Sequence, residues 1–215
     1  MELVYDDKSR KELICQMYQD IFHDPQAFAD YYFDVVYPKN QVLLAWDGDS
    51  LVGMIHLNPY RMKISDREFE AHYIVAVATK QEVRRKGVMR NMLYKTLNDM
   101  AESGEPFTYL MPADRAYYEP FDFVFVSDWT ETEIRGEEGK HPGELESFRE
   151  EDSGAVLEFL NRQIQSYDIY TVMDAAYLRQ AAAEAASQGG RLMVWKQQEK
   201  ISGLFAYGRE EDTVY

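Results

Sequence analysis

The chain has 215 residues, 46% of them hydrophobic and 28% charged, which is enough for one large domain or two small ones around a real core. Thirty-eight acidic residues against 23 basic ones give a net charge of −15, which argues against a nucleic-acid partner or an anionic membrane surface. No apolar run reaches the roughly 18 residues of a membrane span, no signal-peptide core opens the chain, and Cys15 is the single cysteine. The expectation is a cytoplasmic protein without a disulfide framework.

In chain order, Leu13, Ile14, Met17, Tyr18, Ile21 and Phe22 recur at helical spacing and predict a helix from about Ser9 to His23. "PQAFADYYFDVV" predicts a second from about Pro25 to Val36. "QVLLAWDGDSLVGMIHLNPYRMKI" (41–64) reads as two strands about an Asp-Gly turn, and "REFEAHYIVAVAT" (67–79) as a third strand. A basic turn, Arg84-Arg85-Lys86-Gly87, then opens a helix to about Ser103. This helix carries Met92, Leu93, Thr96 and Met100 on one stripe and stops at Gly104. "FTYLMP" (107–112) predicts a short strand, "ADRAYYEPF" a turn or short helix, and "FVFVSDWTETEI" another strand.

Residues 136–146 are polar and rich in glycine, and they read as a linker between a domain at 1–135 and a second unit at 147–215. The second unit predicts two helices followed by "RLMVWKQQEKISGLFAY" (191–207). That stretch repeats "QVLLAWDGDSLVGMIHL" (41–57): apolar strand, Trp, polar turn, then apolar-Gly-apolar strand. Trp46 precedes Gly53 as Trp195 precedes Gly203. The reading is a second, half-finished copy of the first unit, in a chain that is either naturally short or a piece of a longer one.

The basic turn calls for an explanation in so acidic a chain. A helix N-terminus leaves amide N–H groups unpaired and carries partial positive charge, so an anion sits well there. Cations at that end work against the helix itself, which makes a merely solvated face a poor account of them. Arg84, Arg85, Lys86 and Arg90 therefore point to a phosphate-bearing ligand, with Gly87 allowing close backbone approach. Neither GxxxxGK[ST] nor GxGxxG occurs, so a P-loop or a Rossmann site is not supported, and the four histidines show no metal-ligand spacing.

The order of elements, with "VAVAT", "VRRKGVMR" and "YYEPFDF", resembles the GCN5-related N-acetyltransferases (GNAT), most closely the Eis-type (enhanced intracellular survival) subgroup. The resemblance covers roughly residues 1–130 well and 145–215 weakly. It implies a mixed α/β GNAT fold with a second partial GNAT-like unit, acetyl-CoA as co-substrate, and an acetyl group moved to a primary amine. By the same likeness Val77, Ala78 and Thr79 would hold the pantetheine and thioester, and Arg84, Arg85, Lys86, Gly87, Val88 and Met89 the diphosphate. Tyr118 would protonate the departing sulfur as general acid. Met89 stands where the family signature has a small residue, and Asp122 where the subgroup has Gly. The general base stays open among Glu70, His72, Asp114, Glu119, the carboxylate of Tyr215 and a water chain.

The aromatic stretches 31–33 and 58–62, in a negative field, would suit a cationic amine, either a small molecule or a lysine side chain. Neither nucleic acid nor membrane is expected as a partner, and assembly into a homo-oligomer stays open. A non-catalytic acyl-CoA-binding or regulatory module is the alternative reading.

Overall fold

The computed structural model describes residues 1–128, 143–210 and 213–214. Strand β1 (Glu2–Tyr5) precedes helices α1 (Lys11–Phe22) and α2 (Gln26–Tyr31). Strands β2 (Gln41–Asp47), β3 (Ser50–Ile64) and β4 (Arg67–Thr79) lead to helix α3 (Val88–Ser103). These four strands form one antiparallel sheet in the order β1-β2-β3-β4.

Alternation along the strands decides which helix covers which face. Val42 and Leu44 face α1, α2 and the turn after them, where Ile14, Met17, Tyr18 and Phe33 are buried. Leu43, Ala45, Ile55 and Leu57 face α3 and its Met92, Leu93 and Met100. Covered on both sides, β3 is apolar almost without a break from Leu51 to Leu57.

The second helix begins as predicted and then changes character. After Tyr31 the backbone widens into a π-type segment, Tyr32–Val36, and closes as a tight 3₁₀ turn, Tyr37–Lys39. Tyr31, Tyr32, Phe33, Val36 and Tyr37 are all buried, so side chains here pack nearly all round the axis. A run buried on every side has no stripe from which to read a helical period.

The remaining described elements are β5 (Glu144–Ser147), α4 (Ser153–Ile164), β6 (Ile169–Thr171), α5 (Ala175–Ser187), β7 (Arg191–Gln197) and β8 (Lys200–Tyr207). Strands β5-β7-β8 form a second sheet, with Val156, Leu178 and Val194 buried between it and α4 and α5. Strand β6 instead joins the first sheet, pairing with β3 at Met62–Ile64. Most of the predicted linker, and Tyr215, lie outside the described residues; the linker's last three residues begin β5. "FTYLMP" makes a single parallel bridge, Tyr73 to Tyr109, in place of the predicted strand. Residues 124–128 are irregular, and the rest of that predicted strand lies outside the described residues. Among the described residues no helix is long and apolar enough to cross a membrane.

The two hairpins match closely. Asp47 pairs with Ser50 and Gln197 with Lys200, each across a two-residue turn, and each hairpin has a bulge at the equivalent place. Gly53 lies opposite Ala45, whereas Gly203 lies opposite Trp195, so the glycines align and the tryptophans are one position out of step. The glycines also differ in purpose. A Cβ at Gly53 would sit 2.8 Å from Met92 Cε and 3.1 Å from Val88 Cγ1, so this glycine lets α3 lie close on the sheet. A Cβ at Gly203 meets only Trp195 Cβ, at 3.4 Å. Gly53→Ala should therefore cost about 1–3 kcal/mol in urea unfolding, while Gly203→Ala should stay within about 0.5 kcal/mol of wild type.

Candidate active site

Strand β4 breaks its ladder where the sequence reading places the thioester. His56 pairs with Val75 and Met54 with Ala78, so Ala76 and Val77 together oppose the single residue Ile55. This is a β-bulge, and Ala76 takes φ 50°, in the left-handed region that a residue with a Cβ enters at a cost of about 1 kcal/mol. Strain of this kind concentrates at functional sites. On the outer edge of β4 the last backbone bond runs from Ile74 N–H to the Tyr109 carbonyl, 2.9 Å. Beyond it, among the described residues, no strand pairs with 75–79, so a gap opens beside the bulge.

The gap leads to the basic turn. Arg85 (φ 62°) and Gly87 (φ 84°) are both left-handed, with Lys86 between them, a turn of the kind whose amides converge into an anion-binding concavity. Gly87 is the N-cap of α3 and no side chain caps the helix. The first intrahelical bond is Asn91 N–H to the Gly87 carbonyl, 3.0 Å, which leaves the amides of Val88, Met89 and Arg90 without helical partners. Arg84 Nε donates to the Thr79 carbonyl at 3.2 Å, folding that side chain back along the end of β4. Arg85, Lys86 and Arg90 are exposed and, among the described residues, form no ion pair with the chain's many carboxylates. Unpaired amides, a left-handed glycine and unpartnered cations are a donor set that fits a diphosphate.

The other predicted residues divide by what they expose. The Val88 side chain is buried against Gly53 and Met89 packs into the α3 face, so only their backbones could serve a ligand. Ala78 is buried toward α1, Val77 is half-buried toward α3, and Thr79 lies opposite Gly53. The bulk of Met89 explains its departure from a small residue: it fills the core.

Two consecutive tight turns, Arg115–Tyr117 and Glu119–Phe121, fix Tyr118 between them. The Asp114 carboxylate accepts from Ala116 N–H at 2.9 Å and holds the first turn in place. Asp122 then adopts φ 62°, a conformation that glycine favours and Asp tolerates, which is why Asp can stand at that position. The Tyr118 ring is half-buried, edge-on to Phe123 at 5.8 Å. Burial, and secondarily Tyr73 nearby, raise its phenol above the ordinary value. The phenol thus keeps its proton at neutral pH, and among the described residues its hydroxyl has no hydrogen-bond partner.

Of the base candidates, His72 lies on the α3 face, its Nδ1 2.8 Å from Glu105 Oε1 beside a cavity of about 170 Å3. Tyr73, the next residue, points to the opposite face. Glu70, Asp114 and Glu119 are exposed, and Tyr215 lies outside the described residues.

On the Tyr73 face an aromatic wall forms that the sequence reading saw only in part. Tyr60, Tyr73 and Tyr109 contact one another at ring distances of 5.3–6.4 Å. A cleft of about 280 Å3 opens beside them, lined among others by Asn58, Tyr60, Arg61, Lys39, Tyr177 and Gln180. Tyr177, Gln180 and Glu184 share one face of α5, and the Tyr31 hydroxyl donates to Glu184 Oε2 at 3.3 Å. Partial desolvation raises the Glu184 carboxyl above the usual range, the Tyr31 bond opposing it, although the side chain remains open to water. The cleft also pushes the Tyr60 phenol up to about 12, mainly by burial.

The fold is an acyltransferase fold. A probable N-acyltransferase from Enterococcus faecalis V583 superposes on 99% of this chain and 56% of its own, at TM-score 0.73 and 15% identity. A GCN5-related N-acetyltransferase from Anabaena variabilis does so over the same shares, at TM-score 0.67 and 15% identity. A predicted acetyltransferase from Clostridium acetobutylicum, solved with acetyl-CoA, covers 61% of this chain and 95% of its own, at TM-score 0.53 and 14% identity. The chain thus spans a little over half the length of the first two. No curated protein matches it. The family model of the acetyltransferase (GNAT) domain matches residues 7–126, and the chain belongs to that family, whose members use acetyl-CoA.

Proposed function

We propose that this protein transfers an acetyl group from acetyl-CoA to a primary amine by direct attack in a ternary complex. The observation that carries the reading is the pairing of a bulged, open-edged β4 with an uncapped, cationic N-terminus of α3. Acetyl-CoA supplies the activated thioester. The amides of Gly87, Val88 and Met89, with Arg85 and Lys86, hold its diphosphate, and Arg84 braces the turn against Thr79. Amides at the Ala76–Val77 bulge polarise the acetyl carbonyl, a role that preorganised N–H groups fill well. Val77 to Thr79 align the pantetheine along the open edge. Tyr118 gives its proton to the sulfur as the carbon–sulfur bond breaks, and the amine nitrogen forms the new bond to the acetyl carbon.

The matching hairpins also support a tandem plan of the Eis type, with 147–215 beginning a second copy. Calorimetric titration with coenzyme A tests the phosphate site. Arg85→Ala/Lys86→Ala should weaken binding by about 10–100-fold, the loss of two charge-assisted contacts. Unchanged affinity in that variant would remove the turn from the site.

A further inference from the structure

We propose that Glu184, with Tyr31, Tyr60 and Tyr177, forms the site that holds the acceptor's ammonium group, so that α5, beyond the family-matched segment, completes an active site built mainly by the first 126 residues. The inference rests on the acetyl-transfer reading and narrows it to one carboxylate and one class of acceptor.

The geometry is specific. Glu184 is held by the Tyr31 hydroxyl across 153 residues of sequence, which docks α5 on α2. Its own face of α5 presents Tyr177 and Gln180 to the 280 Å3 cleft, whose opposite wall includes Tyr60. Tyr60 abuts Tyr73, and Tyr73 lies just ahead of the Val75–Ala78 bulge, close enough to influence the Tyr118 phenol. The sequence of contacts therefore runs from Glu184 through the tyrosine wall to the place where the acetyl group would sit. A solvent-open carboxylate beside aromatic faces is a cation receptor: the carboxylate supplies the charge and the rings add cation–π attraction.

No side chain of this protein neutralises Glu184 among the described residues; its one polar partner is Tyr31. The carboxylate thus sits partly desolvated without a cation, an arrangement unfavourable to the empty protein and relieved by an ammonium. Lys39 and Arg61 line the cleft from the first unit and oppose a second positive charge. The acceptor is accordingly a single primary amine on a short apolar stem, a lysine side chain or a small monoamine, in preference to a polyamine.

The test compares wild type, Glu184→Gln and Tyr31→Phe with n-butylamine, N-acetyl-lysinamide and putrescine, reading amine KM and, separately, coenzyme A affinity by calorimetry. Glu184→Gln should raise KM for the two monoamines by about 10–100-fold, with coenzyme A affinity within two-fold of wild type and a melting temperature at pH 7 no lower than wild type. Tyr31→Phe should show a smaller rise of the same sign. A KM within two-fold of wild type in Glu184→Gln overturns the proposal, and so does a preference for putrescine that survives the substitution. If wild type binds coenzyme A but turns over none of the three, calorimetric titration of N-acetyl-lysinamide decides: binding weakened ten-fold in Glu184→Gln supports the site, and equal or absent binding overturns it. Failure of wild type to bind coenzyme A would instead refute the acetyl-transfer reading, a separate result.

Discussion

The Tyr118→Phe protein should turn over about 100-fold more slowly than wild type, within the range that a positioned general acid contributes, while its affinity for acetyl-CoA changes less than two-fold. The phenylalanine keeps the edge-on contact with Phe123 and the burial on the α3 face, so only the proton is lost. Because burial, and then Tyr73, raise the Tyr118 phenol, it remains protonated past the usual phenol range. Wild-type kcat should therefore show no decline from loss of this proton up to about pH 10. Tyr117 provides the control: it is 58% exposed next door, and Tyr117→Phe should leave turnover unchanged. Equal kcat in wild type and Tyr118→Phe would remove this residue from the proton path and pass the role to water.

What could be read from the sequence were features written within a few residues of one another. The Asp-Gly hairpin, the basic turn and the Gly104 stop are local, and the structure gives Gly48, Gly87 and Gly104 the left-handed backbone that made them conspicuous. The second hairpin has no glycine in its turn. Gln198 and Glu199 take positive φ themselves, and only the flanking pattern betrayed it. Contacts closed over long separations left no local trace. Nothing near Ile169 signals that three residues will pair with β3, and nothing near Glu184 signals Tyr31. The Ala76 bulge was equally silent, because "VAVAT" reads as an unbroken strand and its kink is imposed by pairing with β3. The matching tryptophans show the opposite error: similarity of letters suggested a register that the bulges shift by one position.

A different residue controls stability in acid. His56 is wholly buried, boxed by the rings of Tyr18, Tyr32, Phe33 and Tyr37 at 5.6–6.3 Å. Its Nδ1 lies 2.9 Å from the Tyr32 hydroxyl, and its Nε2 is buried without a partner. Burial, reinforced by the positive charge of Lys8, holds its pKa down to about 3. In the unfolded chain the same imidazole takes up a proton near pH 6.5. Between those values the unfolded state binds the extra proton, so stability falls as pH is lowered and is level above about pH 6.5. The slope is about 1.4 kcal/mol per pH unit, so urea titrations at pH 7 and pH 5 should differ by about 2 kcal/mol. The window stays above the range where most carboxylates titrate, and Glu184, whose carboxyl is raised, works in the opposite sense and can only diminish the loss. His56→Gln should be about 1–3 kcal/mol less stable at pH 7, because the Tyr32 hydroxyl loses a well-placed partner, yet its stability should change little between pH 7 and pH 5. An acid limb as steep in His56→Gln as in wild type would place the titrating group elsewhere.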